Sequence, residues 1–278
     1  MVASRYIDET FDINNCHNYI LSIQCALDGF SFSVYDTTVN KFVVLVGNTF
    51  VMATPFRLKN ELDKLIEAEP ILNQNYKRVN CAFITSKLTI VPKALISKEE
   101  YPSLFSLAFE QTRDEEIISD GSPADYKLLS AIPGIIKRWF FEHYSNCVFF
   151  TPLSAILNYS KQRATAHQQV YILKQGLTLF VVVQTNHSID FANTFFVKDD
   201  NDCLYYILNV ARQMQLTTKT ELCLVGTIPE KSLLEISLKD YFTKVNRARY
   251  SSRYAVSYTF LKEPENYYIP LIELALCE

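Results

Sequence analysis

The chain has 278 residues, 49% of them hydrophobic, with 27 basic and 30 acidic side chains. This length suits one large or two ordinary domains, and 36 Phe and Tyr residues (19 and 17) beside only 6 Gly argue against disordered segments. The formal net charge of −3 lacks the basic excess that duplex binders use to displace phosphate counterions, which argues against nucleic acid as the partner.

The cysteines and the N-terminal segment indicate the compartment. The chain has seven cysteines and no CxxC pair, and several lie in apolar runs, as expected for reduced core residues. The first residues lack the apolar core of a signal peptide, and no apolar run approaches the length of a membrane span. We therefore expect a cytoplasmic, soluble protein without membrane insertion.

The first half predicts three strands, a helix and two further strands. Aromatic residues or Val alternate with Ser over residues 30–35, which is typical of a half-buried strand, and Asp28-Gly29 before it is a turn signal. Thr54 and Pro55 fit the N-cap and first turn of a helix. The predicted strands cover residues 17–26, 30–35, 41–46, 79–85 and 88–91, and the helix covers 54–69.

The middle of the chain predicts a linking segment. A helix over residues 98–111 is expected to cover the first sheet, and Pro133 is expected in the first turn of the next helix. The remaining predictions are strands at 115–119, 126–132 and 147–150, a turn at 120–123, and helices at 134–144 and 152–161. The polar residues 161–167 predict a seam between a first domain, residues 1–165, and a second, residues 166–278.

From residue 168 the order of the first half returns. Gln175-Gly176 is a turn between two strands, and Asp199-Asp200 opens a helix that runs to about Leu216. The predicted strands cover residues 169–173, 177–184, 191–197 and 222–226. Two halves with the order β-turn-β-β-α-β indicate a duplicated domain rather than a solenoid.

This order resembles a known fold. Three strands with tight turns, then helix, strand and helix, resemble a ribonuclease-H-like unit, and two such units in tandem resemble the actin-like ATPase fold. The linking segment 125–160, DYKLLSAIPGIIKRWFFEHYSNCVFFTPLSAILNYS, is similar in layout to the pilus-assembly and secretion-system members of that superfamily. More narrowly, the chain resembles a bacterial family of unknown function. We therefore predict an α/β protein of two tandem ribonuclease-H-like units of the βββαβα type.

The resemblance implies a cleft in which two hairpins hold the phosphates of ATP with Mg²⁺. The matching positions are Asp28 and Gly29 in the first hairpin and Gln175 and Gly176 in the second, which offers no carboxylate. Gly226 stands alone where the family usually has a glycine pair. Two of the three elements are thus degraded, and ordinary turns explain these residues without a ligand.

Other chemistry finds little support in the sequence. A nuclease of this fold needs clustered carboxylates for two metal ions, yet neither leading strand has an acid at its centre. The four histidines are isolated, and no Walker, GxGxxG or GxSxG motif occurs. We predict no catalytic residue and no metal ligand, while a site assembled only in three dimensions stays open.

Residues 244–254 combine cations and aromatic rings. Arg247, Arg249 and Arg253 alternate with Tyr250 and Tyr254, the composition of a stacking platform for single-stranded nucleic acid. At strand spacing the three arginines share one face, which a solvated strand explains equally well.

The leading hypothesis is a non-catalytic, actin-like protein that acts through protein partners. Its contact surface is the cleft or the tyrosine-rich segment 254–276, of which residues 269–276 are expected to pack back on the body. The alternatives are a nucleotide-binding protein or weak ATPase with Asp28 near Mg²⁺, and, below it, a nucleic-acid binder using the three arginines. The partner's identity and self-association are left open.

Overall fold

The computed structural model describes residues 3–50, 54–93, 97, 100–120 and 126–277. Its strands are β1 (Ala3–Ile7), β2 (Tyr19–Ala26), β3 (Gly29–Asp36), β4 (Lys41–Thr49), β5 (Arg78–Phe83), β6 (Leu88–Pro92), β7 (Glu115–Ser119), β8 (Tyr126–Pro133), β9 (Cys147–Phe150), β10 (Gln169–Gln175), β11 (Thr178–Thr185), β12 (Ser188–Phe196), β13 (Glu221–Gly226), β14 (Lys244–Arg247) and β15 (Ala255–Val256). Its α-helices are α1 (Pro55–Ala68), α2 (Tyr101–Ala108), α3 (Gly134–His143), α4 (Pro152–Lys161), α5 (Asp200–Gln213), α6 (Leu233–Tyr241) and α7 (Glu265–Leu274).

The two large sheets repeat one strand order. The first runs β1-β4-β3-β2-β5-β9, with β15 also paired to β4, and the second runs β12-β11-β10-β13-β14. In each, three strands form an antiparallel meander, a fourth strand pairs in parallel with the first of them, and a fifth strand pairs in parallel with the fourth. Helices connect the parallel strands, as parallel pairing requires. The predicted pair of ribonuclease-H-like units is confirmed.

The outer face of the first sheet forms the largest core. Leu21 and Ile23 of β2 pack with Leu58, Leu62 and Trp139, which come from α1 and α3. Thr54 caps α1 by accepting a hydrogen bond from the Arg57 N–H at 3.3 Å, as the sequence predicted.

A small third sheet, in the order β6-β8-β7, lies between β5 and α3 in the chain. The predicted pairing of residues 115–119 with 126–132 is confirmed, whereas the turn predicted at 120–123 lies mostly outside the described residues. The prediction that residues 98–111 cover the first sheet is wrong. The described helix is α2, and its Phe105 is buried against Leu129 and Ala131 of the small sheet.

The second unit follows its predicted order and adds one helix. Asp199 caps α5 by accepting hydrogen bonds from the N–H groups of Asn201 and Asp202. The sequence pattern does not predict α6, which Ser232 caps and which buries Leu234 and Leu238 while exposing Leu233 and Ile236.

The C-terminal segment returns to the first unit. The short strand β15 pairs with β4, and α7 packs against β2, β3, β5, β13 and α4. Ile269, Leu271, Ile272 and Leu274 are buried, which confirms that this segment packs back on the body. The domain division at residues 165 and 166 stays a prediction.

Candidate functional site between two hairpins

The hairpins β2–β3 and β10–β11 meet tip to tip. The Gln175 Nε2 donates a hydrogen bond to the Gln24 Oε1 at 3.0 Å. Gly176 has a φ of +54°, and a Cβ at this position would overlap the Asp28 Oδ2. Glycine therefore permits both the backbone conformation and the close approach of the carboxylate. The structure brings together four of the five residues that the resemblance implied: Asp28, Gly29, Gln175 and Gly176.

Gly226 lies nearby, at the end of β13, but its surroundings are filled by protein. Its φ is +79°, and a Cβ there would overlap the Lys174 carbonyl oxygen. The Gly226 carbonyl accepts a hydrogen bond at 2.8 Å from the Nδ2 of Asn266, a buried residue of α7. A packing requirement explains this glycine, and its carbonyl is already engaged.

These residues can be tested against the Mg²⁺–nucleotide that the fold implies. Asp28 has the oxygen ligands that Mg²⁺ prefers, but its carboxylate lies against Gly176, and Gln175 adds no charge. Within the described ranges, no group of three or more His, Cys, Asp or Glu side chains is arranged to hold a metal ion. In this conformation the Asp28 carboxylate lies directly against Gly176, so the two hairpin tips as placed do not fit a phosphate between them.

A cavity of about 740 Å³ opens beside the hairpins. Its walls come from the ends of β2 and β5, the first turns of α1 and α3, the small sheet and the second hairpin. Phe56 of the first unit and Phe196 of the second line it, and they are 64% and 54% exposed. Such exposed aromatic rings around a concavity are a frequent feature of binding surfaces.

The charges of this cavity are only partly paired. Lys87 and Glu115 form an ion pair at 2.7 Å. Burial acts to raise the pKa of Glu115, but the hydrogen bond from Lys87 helps to lower it below its ordinary value. Arg113 and Arg138 are exposed, and neither has an ion-pair or hydrogen-bond partner for its side chain in the described part of the chain.

The expectation that Arg247, Arg249 and Arg253 share one strand face is wrong, whereas nucleic-acid binding by them stays a prediction. Strand β14 ends at Arg247, whose guanidinium contacts Glu235 at 2.5 Å and the Ile228 carbonyl at 3.0 Å. Arg253 contacts the buried Glu273 at 3.5 Å. Arg249 is exposed, and its side chain makes no hydrogen bond or ion pair among the described residues. Protein carboxylates thus engage two of the three cations.

The sequence does not predict that Asn266 and Phe56 belong to the site. Asn266 follows Pro264 at the start of α7, a position that predicts a helix start but not a contact with Gly226, which is 40 residues away. Phe56 lies in the first turn of α1 and points away from the buried stripe of Leu58 and Leu62. Its spacing relative to that stripe was the only available signal.

The fold and the paired hairpins define the class of protein: an α/β chain with the actin-like ATPase fold. A Bacteroides thetaiotaomicron protein of unknown function with this fold has 21% identity and a TM-score of 0.84, over 97% of this chain and 100% of that one. The PilM–PilN type IV pilus biogenesis complex matches with 12% identity and a TM-score of 0.59, over 92% of this chain and 97% of that one. The cytoplasmic domain of EpsL, from the Vibrio cholerae type II secretion system, matches with 12% identity and a TM-score of 0.50, over 94% of this chain and 95% of that one.

The family can be stated from the sequence. Residues 8–245 match the family described as "Protein of unknown function (DUF3822)", and the chain belongs to it. The predicted resemblance is confirmed. No curated protein shows significant sequence similarity to the chain. No helix in the described ranges is long and apolar enough to cross a membrane.

Proposed function

We propose that this protein is a non-catalytic, actin-like protein that binds a segment of a protein partner in the 740 Å³ cavity. One observation carries the proposal: the hairpins that hold phosphates in ATPases of this fold contact each other here, while the cavity beside them stays open. The second hairpin also offers an amide, Gln175, in place of a carboxylate.

The lining of the cavity indicates the chemistry of the partner segment. Phe56 and Phe196 offer exposed rings from both units, and Leu27, Ile135 and Leu177 add apolar surface. Aromatic and arginine side chains contribute most of the energy in many interfaces. Arg113 and Arg138, which have no side-chain partner in the described part of the chain, can pair with a carboxylate next to the apolar anchor of the segment. Asp28 and Asp114 of the same lining limit the segment to few acidic residues.

The fold neighbours provide an analogy. PilM is found in a complex with PilN, and EpsL is a component of a secretion system, so proteins of this fold occur in assemblies. At 12% identity this is an analogy of fold, and the proposal rests on the cavity itself.

A peptide selection tests the proposal. Random peptides displayed on phage would be selected on the wild-type protein, and the recovered peptides would be measured against Phe56→Ala, Arg138→Glu and Phe141→Ala. Phe141 is an exposed phenylalanine outside the cavity and serves as the matched control.

We expect peptides that combine an aromatic or aliphatic residue with Asp or Glu. Their affinity should fall about tenfold or more in Phe56→Ala and Arg138→Glu and stay unchanged in Phe141→Ala. Selection of no sequence class, or of peptides that bind the two cavity variants as well as wild type, would contradict the proposal.

The rival function is a nucleotide-binding protein or weak ATPase. It is favoured by Asp28, which lines the cavity and lies at the tip of the first hairpin. It requires the two hairpins to separate, which breaks the Gln24–Gln175 hydrogen bond and moves Asp28 away from Gly176.

A further inference from the structure

A second pocket, of about 470 Å³, shares Asp28 and Gln175 with the larger cavity. Its other walls come from β2, β3, β4, α7 and the segment before α7. Neither Phe56 nor Phe196 lines it. The chemistry of this pocket can therefore be considered separately from peptide binding in the larger cavity.

The pocket is acidic. Asp28 and Glu263 line it, and its lining residues, all of them described, include no Lys, Arg or His. The Glu263 Oε1 accepts hydrogen bonds from the hydroxyls of Ser4 at 2.8 Å and Tyr6 at 2.9 Å, which are neutral donors. Partly buried carboxylates without a cation favour a positively charged ligand.

A buried amide pair adds an unused hydrogen-bond acceptor. Gln24 is only 5% exposed, and its single hydrogen bond to Gln175 leaves the Gln24 Nε2 and the Gln175 Oε1 without partners among the described residues. If both amides rotate, the free oxygen becomes the Gln24 Oε1 instead. In either arrangement one buried carbonyl oxygen and one buried amide N–H₂ group lack a partner among the described residues, and a buried polar atom without a partner is costly.

Tyrosine side chains complete the pocket. Tyr267 and Tyr268 line it from α7. Tyr268 packs against β4 at Gly47, where a Cβ would lie 2.9 Å from the Tyr268 hydroxyl oxygen. Aromatic rings beside carboxylates are a frequent environment for organic cations.

We propose that this pocket binds a small organic cation with N–H donors, of the size of an aliphatic diamine. The ammonium groups pair with Asp28 and Glu263, and an N–H donates to the free carbonyl oxygen of the Gln24–Gln175 pair. A pocket of this volume is within the range of small-molecule sites. The same charges disfavour anionic ligands.

Calorimetry on the full chain tests this proposal. The ligands are putrescine, its neutral isostere 1,4-butanediol, and MgCl₂, and the proteins are wild type, Asp28→Asn, Glu263→Gln and Glu67→Gln. Glu67 is an exposed carboxylate outside the pocket, so its variant controls for net charge. We expect putrescine to bind wild type and Glu67→Gln equally, and about tenfold more weakly to each pocket variant.

Two further results decide the outcome. Binding of putrescine should weaken as NaCl rises, a test on wild type that stands even if Glu263→Gln fails to fold. The proposal is overturned if the diol binds as well as the diamine, if no binding occurs at millimolar putrescine, or if the pocket variants bind normally. It is also overturned if Mg²⁺ binds and displaces putrescine, because the site is then a metal site.

Discussion

Equivalent strands of the two sheets carry different side chains on their inner faces. In the second unit, Tyr171 and Leu173 of β10 pair across to Val182 and Phe180 of β11, and all four are buried apolar residues beneath α4 and the small sheet. The corresponding positions in the first unit are polar. They are Ser22 and Gln24 of β2, which pair with Ser33 and Ser31 of β3.

The covering element accounts for the difference. Helix α7 covers the inner face of the first sheet, and the Asn80 Nδ2 donates to its Leu274 carbonyl at 2.8 Å. The hydroxyls of Ser22 and Ser33 are buried there without partners in the described part of the chain. The polar stripe continues to Gln24, near the hairpin tip. Two sheets of one topology can therefore differ in role: the second unit contributes packing, and the first contributes most of the site's polar groups.

The largest expected effect on stability comes from replacing a glycine, and it should differ between the two units. Gly226→Ala places a Cβ against the Lys174 carbonyl at a positive φ, and we expect it to lower the free energy of unfolding by about 3 kcal/mol or more. In Gly29→Ala the new Cβ lies 3.2 Å from the Asn48 carbonyl oxygen, and the φ of this residue is not positive. We expect this substitution to lower the free energy of unfolding by about 1 kcal/mol or less. Urea unfolding measures both, and equal costs would contradict the geometry at β13.

The next effect compares two buried glutamates. Burial acts to raise the pKa of Glu235, but hydrogen bonds from Lys239 and Arg247 outweigh it and lower the pKa to about 2. Its contribution to stability is therefore present above the ordinary pKa of 4.5 and is lost as the pH falls towards 2. Glu235→Gln should cost about 2 to 3 kcal/mol at pH 7 and much less near pH 2.

The contribution of Glu273 to stability should change with pH in the opposite direction. Burial raises its pKa, against the effects of Arg253 and Tyr254. The folded protein therefore loses stability as the pH rises above 4.5 through the raised pKa. Glu273→Gln should cost about 1 kcal/mol or less at pH 7, with a larger deficit at pH 4. Thermal melts across this pH range would refute the assignment if both variants showed the same pH dependence.

The smallest expected effect comes from substitutions on the inner faces of the two large sheets. Ser22→Ala removes a buried hydroxyl that has no partner among the described residues, and it should be neutral or stabilise by about 0.5 to 1 kcal/mol. Val182→Thr introduces a hydroxyl at the equivalent apolar face and should destabilise by about 1 to 2 kcal/mol. If denaturant unfolding shows the reverse order, the two faces do not differ as described.

The sequence predicted the local elements well, since period-two alternation, the Thr54 cap and the Asp199 cap are short-range signals. It did not predict α6, whose apolar residues surround the helix instead of forming one stripe. It also predicted that one strand continues past Arg247, whereas the strand ends at Arg247, whose side chain donates hydrogen bonds to Glu235 and Asn266. It also missed β1, a polar edge strand.

The candidate site was predictable only in part. Asp28, Gly29, Gln175 and Gly176 could be named because turn residues between strands are local. Three other features depend on contacts between distant segments. The two hairpin tips touch, Asn266 donates a hydrogen bond to the Gly226 carbonyl, and Phe56 and Phe196 line one cavity. No spacing within the chain encodes those distances.

The central claim is that contact between the hairpins replaces a nucleotide, and a thermal melt with millimolar Mg-ATP tests it most directly. A ligand at about a hundred times its dissociation constant adds about 2.7 kcal/mol of stability, which is on the order of 5 °C for a chain of this size. The account predicts no shift for wild type or for Asp28→Ala. A shift of that size in wild type that disappears in a folded Asp28→Ala protein would contradict it and support nucleotide binding between the hairpins.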